Sequence, residues 1–519
     1  TLIVTLRDDV RFQDGTRLEP RDVVATYRSI LEDEVPSVRK GDLSAVASVD
    51  ENGERSVRFR LKAPFAPLLI NLAMPILKAG AGPEAARHPI GTGPFRLVRY
   101  RKDEDLLLER FEGYFGGPAS VHYVHLKIIP SETGRLLELL KGSVDLIVND
   151  LSPDQLERAG RTPGYEVERR PGRNEVYLIF NLRDPILSDR RVREAIARAI
   201  DRGAIIHHLL HDAAQIATGL LPPSHWAYEA DVPRYEIDRA AAASLLDRAG
   251  YPDPDGDGPA PRMHLTYKTS SSELALQQAT VFQDQLARVG IDLEIRTYEW
   301  PTFYDDLKAG RFQIAVSNWT EIADPDIYRL RFHSRAQPPD GFNRGGYASA
   351  VVDRLIEEGA TTLDEGARRR IYGEIQRRLA HDLPDVSLWH RDVFVVRRDR
   401  VGHFRLTPGA DFTPFREITL GPPANVDRSA QPAAENPFDL LDRNPAGPDQ
   451  PGGIDAAIDD GRWKGPAGRS TVQDQIDLHP QRFDDLAGAG RRSLTRSVGA
   501  GGDDRSAGGA RERRGHGVG

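Results

Sequence analysis

The stretch Phe312-Gln313-Ile314-Ala315-Val316-Ser317-Asn318-Trp319-Thr320-Glu321-Ile322-Ala323-Asp324-Pro325-Asp326-Ile327-Tyr328 decides how this chain is read. Phe312–Val316 is an apolar strand. The composition then changes abruptly, to Trp319 and Tyr328 around three carboxylates, Glu321, Asp324 and Asp326. A loop at the carboxyl end of a strand is where open α/β sheets bind ligands. An aromatic platform beside carboxylates suits a ligand with a cationic amine and an apolar body. The plain alternative is a structural loop, with Trp319 filling a gap in the core and Asp324-Pro325 making a turn. The physics of the segment leaves both readings open.

Working outward, strands and helices alternate on both sides. Glu175–Asn181 reads as a strand. Ser188 or Asp189 caps a helix whose stripe is Val192, Ile196, Ala199 and Ile200,. Residues 236–249 and 271–289 read as helices, with strands at 263–267 and 291–297. A helix over 302–309 leads into Phe312–Val316. Helices over 351–359 and 365–379 precede strands at 387–396 and around His403–Leu406. Upstream, Thr1–Leu6 is a strand and Pro20 opens a helix carrying Val23, Val24 and Tyr27,. Val57, Phe59 and Leu61 alternate as a half-buried strand. Leu68–Leu77 reads as an apolar helix interrupted by Pro75. The strands Phe95–Tyr100, 106–111, 121–129 and 144–148 follow, with helices after Ser131 and Ser152. No short repeat occurs, which argues against a solenoid.

The 519 residues exceed what one core usually serves, so two or more domains are expected,. The net charge of −8 argues against a nucleic-acid partner, whose footprint is basic,. No run of eighteen apolar residues predicts a membrane-spanning helix. The chain has 0 cysteines, which removes disulfides, thiolate metal sites and a cysteine nucleophile,. Thr1 begins in what reads as mid-fold, so the expectation is a fragment that has lost its true start and any signal peptide. Residues 421–519 are rich in Gly and Pro and poor in large apolar residues. They read as a disordered low-complexity tail, or as the product of a frameshift.

The search for catalytic chemistry gives little. No Gly-x-Ser-x-Gly elbow, His-Glu-x-x-His or Gly-Lys-Ser/Thr phosphate loop is present,. Gly91-Thr92-Gly93 is followed by Pro94, which removes a donor a phosphate cradle needs, so it reads as a turn. Asp253-Pro254-Asp255-Gly256-Asp257-Gly258 resembles half a calcium loop, but His264 stands where the closing Glu belongs,. A surface turn is the default. His207 and His211 are spaced to share a helix face, yet two imidazoles without a third ligand make a poor zinc site. No metal ligand and no cofactor is therefore expected.

Several segments in order resemble the bacterial extracellular solute-binding proteins of family 5, the peptide-, dipeptide- and nickel-binding components of ABC importers. They are Leu6–Thr16 with Asp22-Val23-Val24 and Tyr27; Pro89–Phe95; Phe180-Asn181-Leu182 with Asp189–Ala195 and Ala199–Arg202; Leu245-Leu246 through Ala249-Gly250-Tyr251; and Trp319–Tyr328. The resemblance spans about residues 1–420.

It implies an α/β, two-lobed periplasmic-binding-protein-like fold of type II, with an extra subdomain in the first lobe and crossing strands between lobes. Carried onto this chain, 1–95 is the extra subdomain and 96–181 the first-lobe sheet, its opening strands missing. Residues 182–388 are the second lobe, and 389–420 return to the first. The implied function is capture of a peptide between closing lobes for delivery to ABC permease subunits, outside the cytoplasm, by a non-enzymatic monomer. Within the same fold a nickel complex, haem, sugar or opine-like solute is the alternative. A hydrolase using Asp324, Asp326 or Glu321 is the reading from another class.

The resemblance also implies site residues. Peptide-binding members anchor the ligand's amino terminus on an aspartate shortly after the matching Trp; here Glu321, or Asp324 after a one-residue shift, stands in that role beside Trp319 and Thr320. The oligopeptide binder's arginine just before that Trp is replaced by Val316. Tyr177 and Asn181 fall at the crossover, and Trp389 and His390 at the return, all four expected to line the cleft.

Overall fold

The computed structural model describes residues 1–32, 37–149, 151–256, 258–339 and 341–421. The Gly- and Pro-rich tail lies outside the described residues beyond Gly421, as does Asp257 of the Asp-Gly turn. Strands β1 (Leu2–Thr5), β2 (Val46–Glu51) and β3 (Ser56–Leu61) form an antiparallel sheet in the order β1-β3-β2. Alternation turns Val57 and Phe59 to one buried face,. The helix Pro20–Leu31 lays Val23, Val24 and Tyr27 on that face. Pro20 sets its first turn, and Glu19 and Asp22 cap it reciprocally,. A second antiparallel sheet joins β4 (Phe95–Arg101), β5 (Asp105–Arg110) and β6 (Tyr123–Lys127).

The rest is organised around one long strand shared by two sheets. β7 (Leu146–Val148) and β8 (Tyr165–Pro171) precede β9 (Glu175–Phe180), β10 (Ala214–Ile216), β11 (Met263–Ser270), β12 (Ile291–Tyr298), β13 (Ile314–Trp319) and β14 (Asp385–Arg398). The near half of β14 pairs with β9 and β10, in a sheet ordered β10-β14-β9-β13-β11-β12. Its far half, Asp392–Arg398, pairs with β8, and Val395–Arg397 also with β7. A register shift between Ser387 and Trp389 interrupts the pairing of β14 with β9,.

β11, β12 and β13 run parallel, so their connections must cross over, through the helices Glu273–Ala287 and Trp300–Lys308,. β9 is buried along its whole length, which matches its unbroken apolar run after Glu175,. Val176, Leu178 and Phe180 face a core with Val192 and Ile196 of the helix Arg190–Ala199, which Asp189 caps. Tyr177 and Ile179 face a smaller cluster with Phe303, Leu307 and Phe312. The N-terminal unit leans on this second body: Ala66 N donates to Ala360 O at 2.8 Å, and Arg329 lies over the Phe65 ring.

The chain passes from β8 to β9 at 172–174, and β14 exchanges β9 and β10 for β7 and β8 near 391; β9 pairs on both sides, with β13 and β14.

Three local readings are corrected. The apolar helix expected over Leu68–Leu77 stops at Asn71, since Pro75 follows within a turn and cannot donate to it,. The strand expected at His403–Leu406 is instead the two-residue pair Val401–Gly402 with Thr419–Leu420, and His403 turns away at φ +57°. His207 and His211 do not share a helix, because Arg202–His208 ends first and His211 sits at φ +49°. Among the described residues, no helix is long and apolar enough to cross a membrane.

Candidate functional site

The site begins with how closely the two chain passages meet. Gly172 N donates to Arg391 O at 3.2 Å, and a side chain on Gly172 would place its Cβ 2.5 Å from that oxygen. Only glycine allows the approach. Asn174 then brackets Arg391: its Nδ2 donates to Arg391 O at 2.9 Å, and its Oδ1 accepts from Arg391 N at 2.8 Å. His390 Nδ1 donates to Asn174 O at 2.6 Å. Burial holds the His390 imidazole below its usual pKa.

β13 carries its last residue to this junction, where Trp319 stands opposite Glu175. The strand runs three residues beyond the predicted Val316, so the loop proper starts at Thr320, which is half-buried. The loop is clipped to the first passage. Ile322 N donates to Arg173 O at 3.0 Å, and Arg173 N donates to Pro408 O at 3.1 Å. His225 Nε2 donates to Ala323 O at 3.3 Å while its Nδ1 accepts from Ala227 N at 3.1 Å. Both nitrogens are thus used by the neutral ring, and burial lowers its pKa.

The three carboxylates of the loop have different fates. Asp324 accepts from both Nη atoms of Arg368, at 2.9 and 3.3 Å, and Arg368 lies over the Trp226 ring. Asp326 is buried and paired with Arg329; burial pushes its carboxyl up against the pull of that guanidinium. Glu321 is exposed, and no described residue hydrogen-bonds or ion-pairs with its carboxylate. Its backbone is left-handed at φ +53°, a conformation costing a non-glycine residue about 1 kcal/mol,. Strain of this kind collects at ligand-binding positions. Beside it, Trp319 is half-buried, its ring edge-on to Phe342 at 5.1 Å between centroids.

Beneath the loop lies a charge network with no counterpart in the sequence reading. Arg331, on the short helix Ile327–Phe332, pairs with Glu175 at the start of β9 and with Asp385 at the start of β14, the latter at 2.6 Å. Ser387 Oγ donates to Glu175 as well. The Arg331 guanidinium lies 3.4 Å from the Tyr177 ring centroid. Two carboxylates face one cation in a dry setting. Burial pushes the Asp385 carboxyl up to about 6, opposed by Arg331,. The cavity over this network, lined by Tyr177, Phe342, Arg344 and Tyr347, is about 20 Å³, room for a water but not for a peptide,.

The residues singled out from sequence fall into two groups. Trp319, Thr320, Glu321 and Asp324 stand together on the loop at the crossing. The other four are taken up by structure in this conformation. Tyr177 is 3% exposed under Arg331. Asn181 Nδ2 donates to Gly310 O and Phe312 O, fixing the turn into β13. Trp389 is 0% exposed within the core around β9, and His390 is buried beside Asn174. Sequence reasoning missed Arg173, Arg331, Glu175, Asp385 and Arg368. A lone Glu opening an apolar strand, as at Glu175, was the one available sign of a buried partner.

Comparison with known proteins adds to this geometry. Residues 1–338 match the model of the bacterial extracellular solute-binding proteins, family 5 Middle. The dipeptide-binding protein of Escherichia coli (strain K12) is 29% identical over 379 residues, covering 70% of this chain and 70% of that protein. The oligopeptide-binding protein AppA of Bacillus subtilis (strain 168) is 25% identical over 430 residues, covering 79% of this chain and 78% of its own length. Among solved structures, the ABC transporter-associated periplasmic binding protein DppA from Helicobacter pylori, in complex with the peptide STSA, superposes with a TM-score of 0.71. The two are 26% identical, with 80% of this chain and 86% of that one covered.

Proposed function

The chain belongs to the bacterial extracellular solute-binding proteins, family 5, and from that membership we propose that it captures short peptides between its lobes and passes them to the membrane permease subunits of an ABC importer. The observation that carries the reading is the loop Thr320–Asp324. It is seated where the two lobes cross, holds an unpaired Glu321 beside half-buried Trp319, and follows directly on the central sheet. A free carboxylate at that place suits a peptide amino terminus, and the Trp319 face suits the first side chain. Edges of main chain along the loop supply donors and acceptors for the peptide backbone.

The proposal includes the division of labour along the chain. Residues 1–95 form a subdomain of the first lobe, and 96–171 its sheet. The second lobe runs from β9 into β14, and the remainder of β14 onward returns to the first lobe. The protein works outside the cytoplasm, as a monomer, and performs no chemistry on its ligand. The passages at 172–174 and 389–391 are the hinge about which the lobes close.

Thermal unfolding of the full chain against di- to octapeptides, sugars and nickel tests the reading. A ligand that binds only the folded state adds about 2.7 kcal/mol at a hundred times its dissociation constant. A rise in midpoint with peptides alone is expected. A rise with nickel or a sugar and none with peptides would replace peptide capture by the non-peptide alternative.

A further inference from the structure

The candidate ligand loop reaches the N-terminal unit by two arms. Asp324 accepts from Arg368, and the same guanidinium donates through Nε to Gly359 O at 3.1 Å. The next carbonyl, Ala360 O, accepts from Ala66 N at 2.8 Å. Asp326 holds Arg329, whose guanidinium carbon lies 5.4 Å from the centroid of the Phe65 ring. Two carboxylates of one loop therefore converge on Phe65 and Ala66, which are adjacent in the chain. Ala360 is buried in the core of the N-terminal unit, with Phe59, Phe65 and Leu68.

Both sides of this seam are held in shape. Gly359 and Ala360 stand in the last turn of the helix Ala350–Thr361, where carbonyls lack a partner within the helix,. Arg368 and Ala66 supply the missing donors from either side. A Cβ on Gly359 would lie 2.9 Å from the Tyr372 ring, so the helix end packs closely on its own side. Pro64 and Pro67 flank Phe65-Ala66 and restrict the backbone that presents them,.

We propose that Phe65-Ala66 and Gly359-Ala360 form a latch that holds the N-terminal unit down while a ligand occupies the loop, and that this latch sets how fast the ligand leaves. This rests on the capture reading above and adds a retention device to it. Residues 65–66 precede the passage at 172–174, and 359–360 lie between the two passages. Opening about those passages therefore parts the seam. It breaks one backbone hydrogen bond and one cation–π contact and uncovers Phe65, terms small enough to be reversible. Asp324 and Asp326 connect the latch to the loop, so ligand contact there steadies both arginines.

The chain has 0 cysteines, so Ala66→Cys with Ala360→Cys gives a single possible disulfide in the full chain. The direct main-chain bond brings the two positions within disulfide range. Tritiated Ala-Phe, Ala-Ala-Phe and hexa-alanine are the probes, and release is followed after dilution into unlabelled peptide. Oxidation with peptide bound is expected to slow release by about tenfold or more, and reduction to restore the wild-type rate. Phe65→Leu keeps an apolar side chain but removes the ring under Arg329. It should release peptide about threefold faster, with association within about twofold of wild type. Thiols that do not join with peptide bound, or a joined protein that exchanges peptide at the wild-type rate, overturn the latch while capture stands. Should the double variant not fold, an unchanged release rate in Phe65→Leu overturns it. Binding of none of the three peptides to wild type overturns the capture reading and the latch with it.

Discussion

The guanidinium of Arg331 lies 3.4 Å from the ring centroid of Tyr177 and is locked there by Glu175 and Asp385. Glu175 opens β9 just after the passage at 172–174, and Asp385 opens β14, which runs on to the passage at 389–391. The helix Ile327–Phe332 that carries Arg331 begins right after the candidate ligand loop. One cation thus ties the segment that follows the loop to the starts of β9 and β14.

Removing that cation leaves two buried carboxylates facing each other. Arg331→Met is expected to cost about 3–5 kcal/mol of stability in urea unfolding. Adding Glu175→Gln and Asp385→Asn to the same chain should return part of the loss, since uncharged groups no longer repel. A cost below about 1 kcal/mol would mean the network is not structural.

Asp385 also gives a pH dependence. Burial raises its folded pKa to about 6, above the 3.8 of an ordinary aspartate. Between pH 4 and 6 the folded protein holds a proton that the unfolded chain has released. Stability from this group is therefore full below about pH 4 and is lost as pH rises through 6. Asp385→Asn should flatten that part of the stability profile. An unchanged profile in the variant would remove Asp385 as its source.

Glu321 and Asp324 separate binding from stability. Glu321→Gln should reduce peptide affinity by about tenfold and leave the unfolding midpoint unchanged, because the carboxylate has no described partner to lose. Asp324→Asn should do the reverse, costing about 1–3 kcal/mol through Arg368,. The opposite pattern would exchange their roles and make Asp324 the anchor.

The two tryptophans differ in the same way. Trp319→Ala should weaken binding by about tenfold or more with a modest loss of stability, since the ring is only partly buried,. Trp389→Ala should cost about 3–5 kcal/mol, because the ring is wholly buried in the core around β9,. Denaturant unfolding and calorimetry on both variants check the contrast.

What could be read in advance was whatever is local. The helix after Asp189 follows from its cap and its 3.6-residue stripe, and β9 from its unbroken apolar run. The order of five weak motifs pointed to the family. The charge network could not be read, because Glu175, Arg331 and Asp385 are far apart in sequence, and only Glu175, opening an apolar strand, hints at a buried partner. Asn181 and Trp389 were placed near the cleft by their position at a crossover. Position says nothing of direction: the Asn181 amide turns to Gly310 and Phe312, and Trp389 turns into the core. Asp324 and Glu321 are equivalent by composition, and only the seat of Arg368 distinguishes them.

The central claim is that the lobes close on a peptide about the passages at 172–174 and 389–391. The absence of cysteine lets two introduced thiols be labelled uniquely. Leu137, exposed on the helix Glu132–Lys141, and Leu276, exposed on the helix Glu273–Ala287, fall on opposite sides of the proposed hinge and are suitable positions. Their separation is measured by pulsed electron paramagnetic resonance with and without a peptide at saturation. A shorter, narrower distance distribution with peptide, and none with a non-binding sugar, is the predicted result. An unchanged distribution while calorimetry shows the peptide bound would contradict capture by lobe closure.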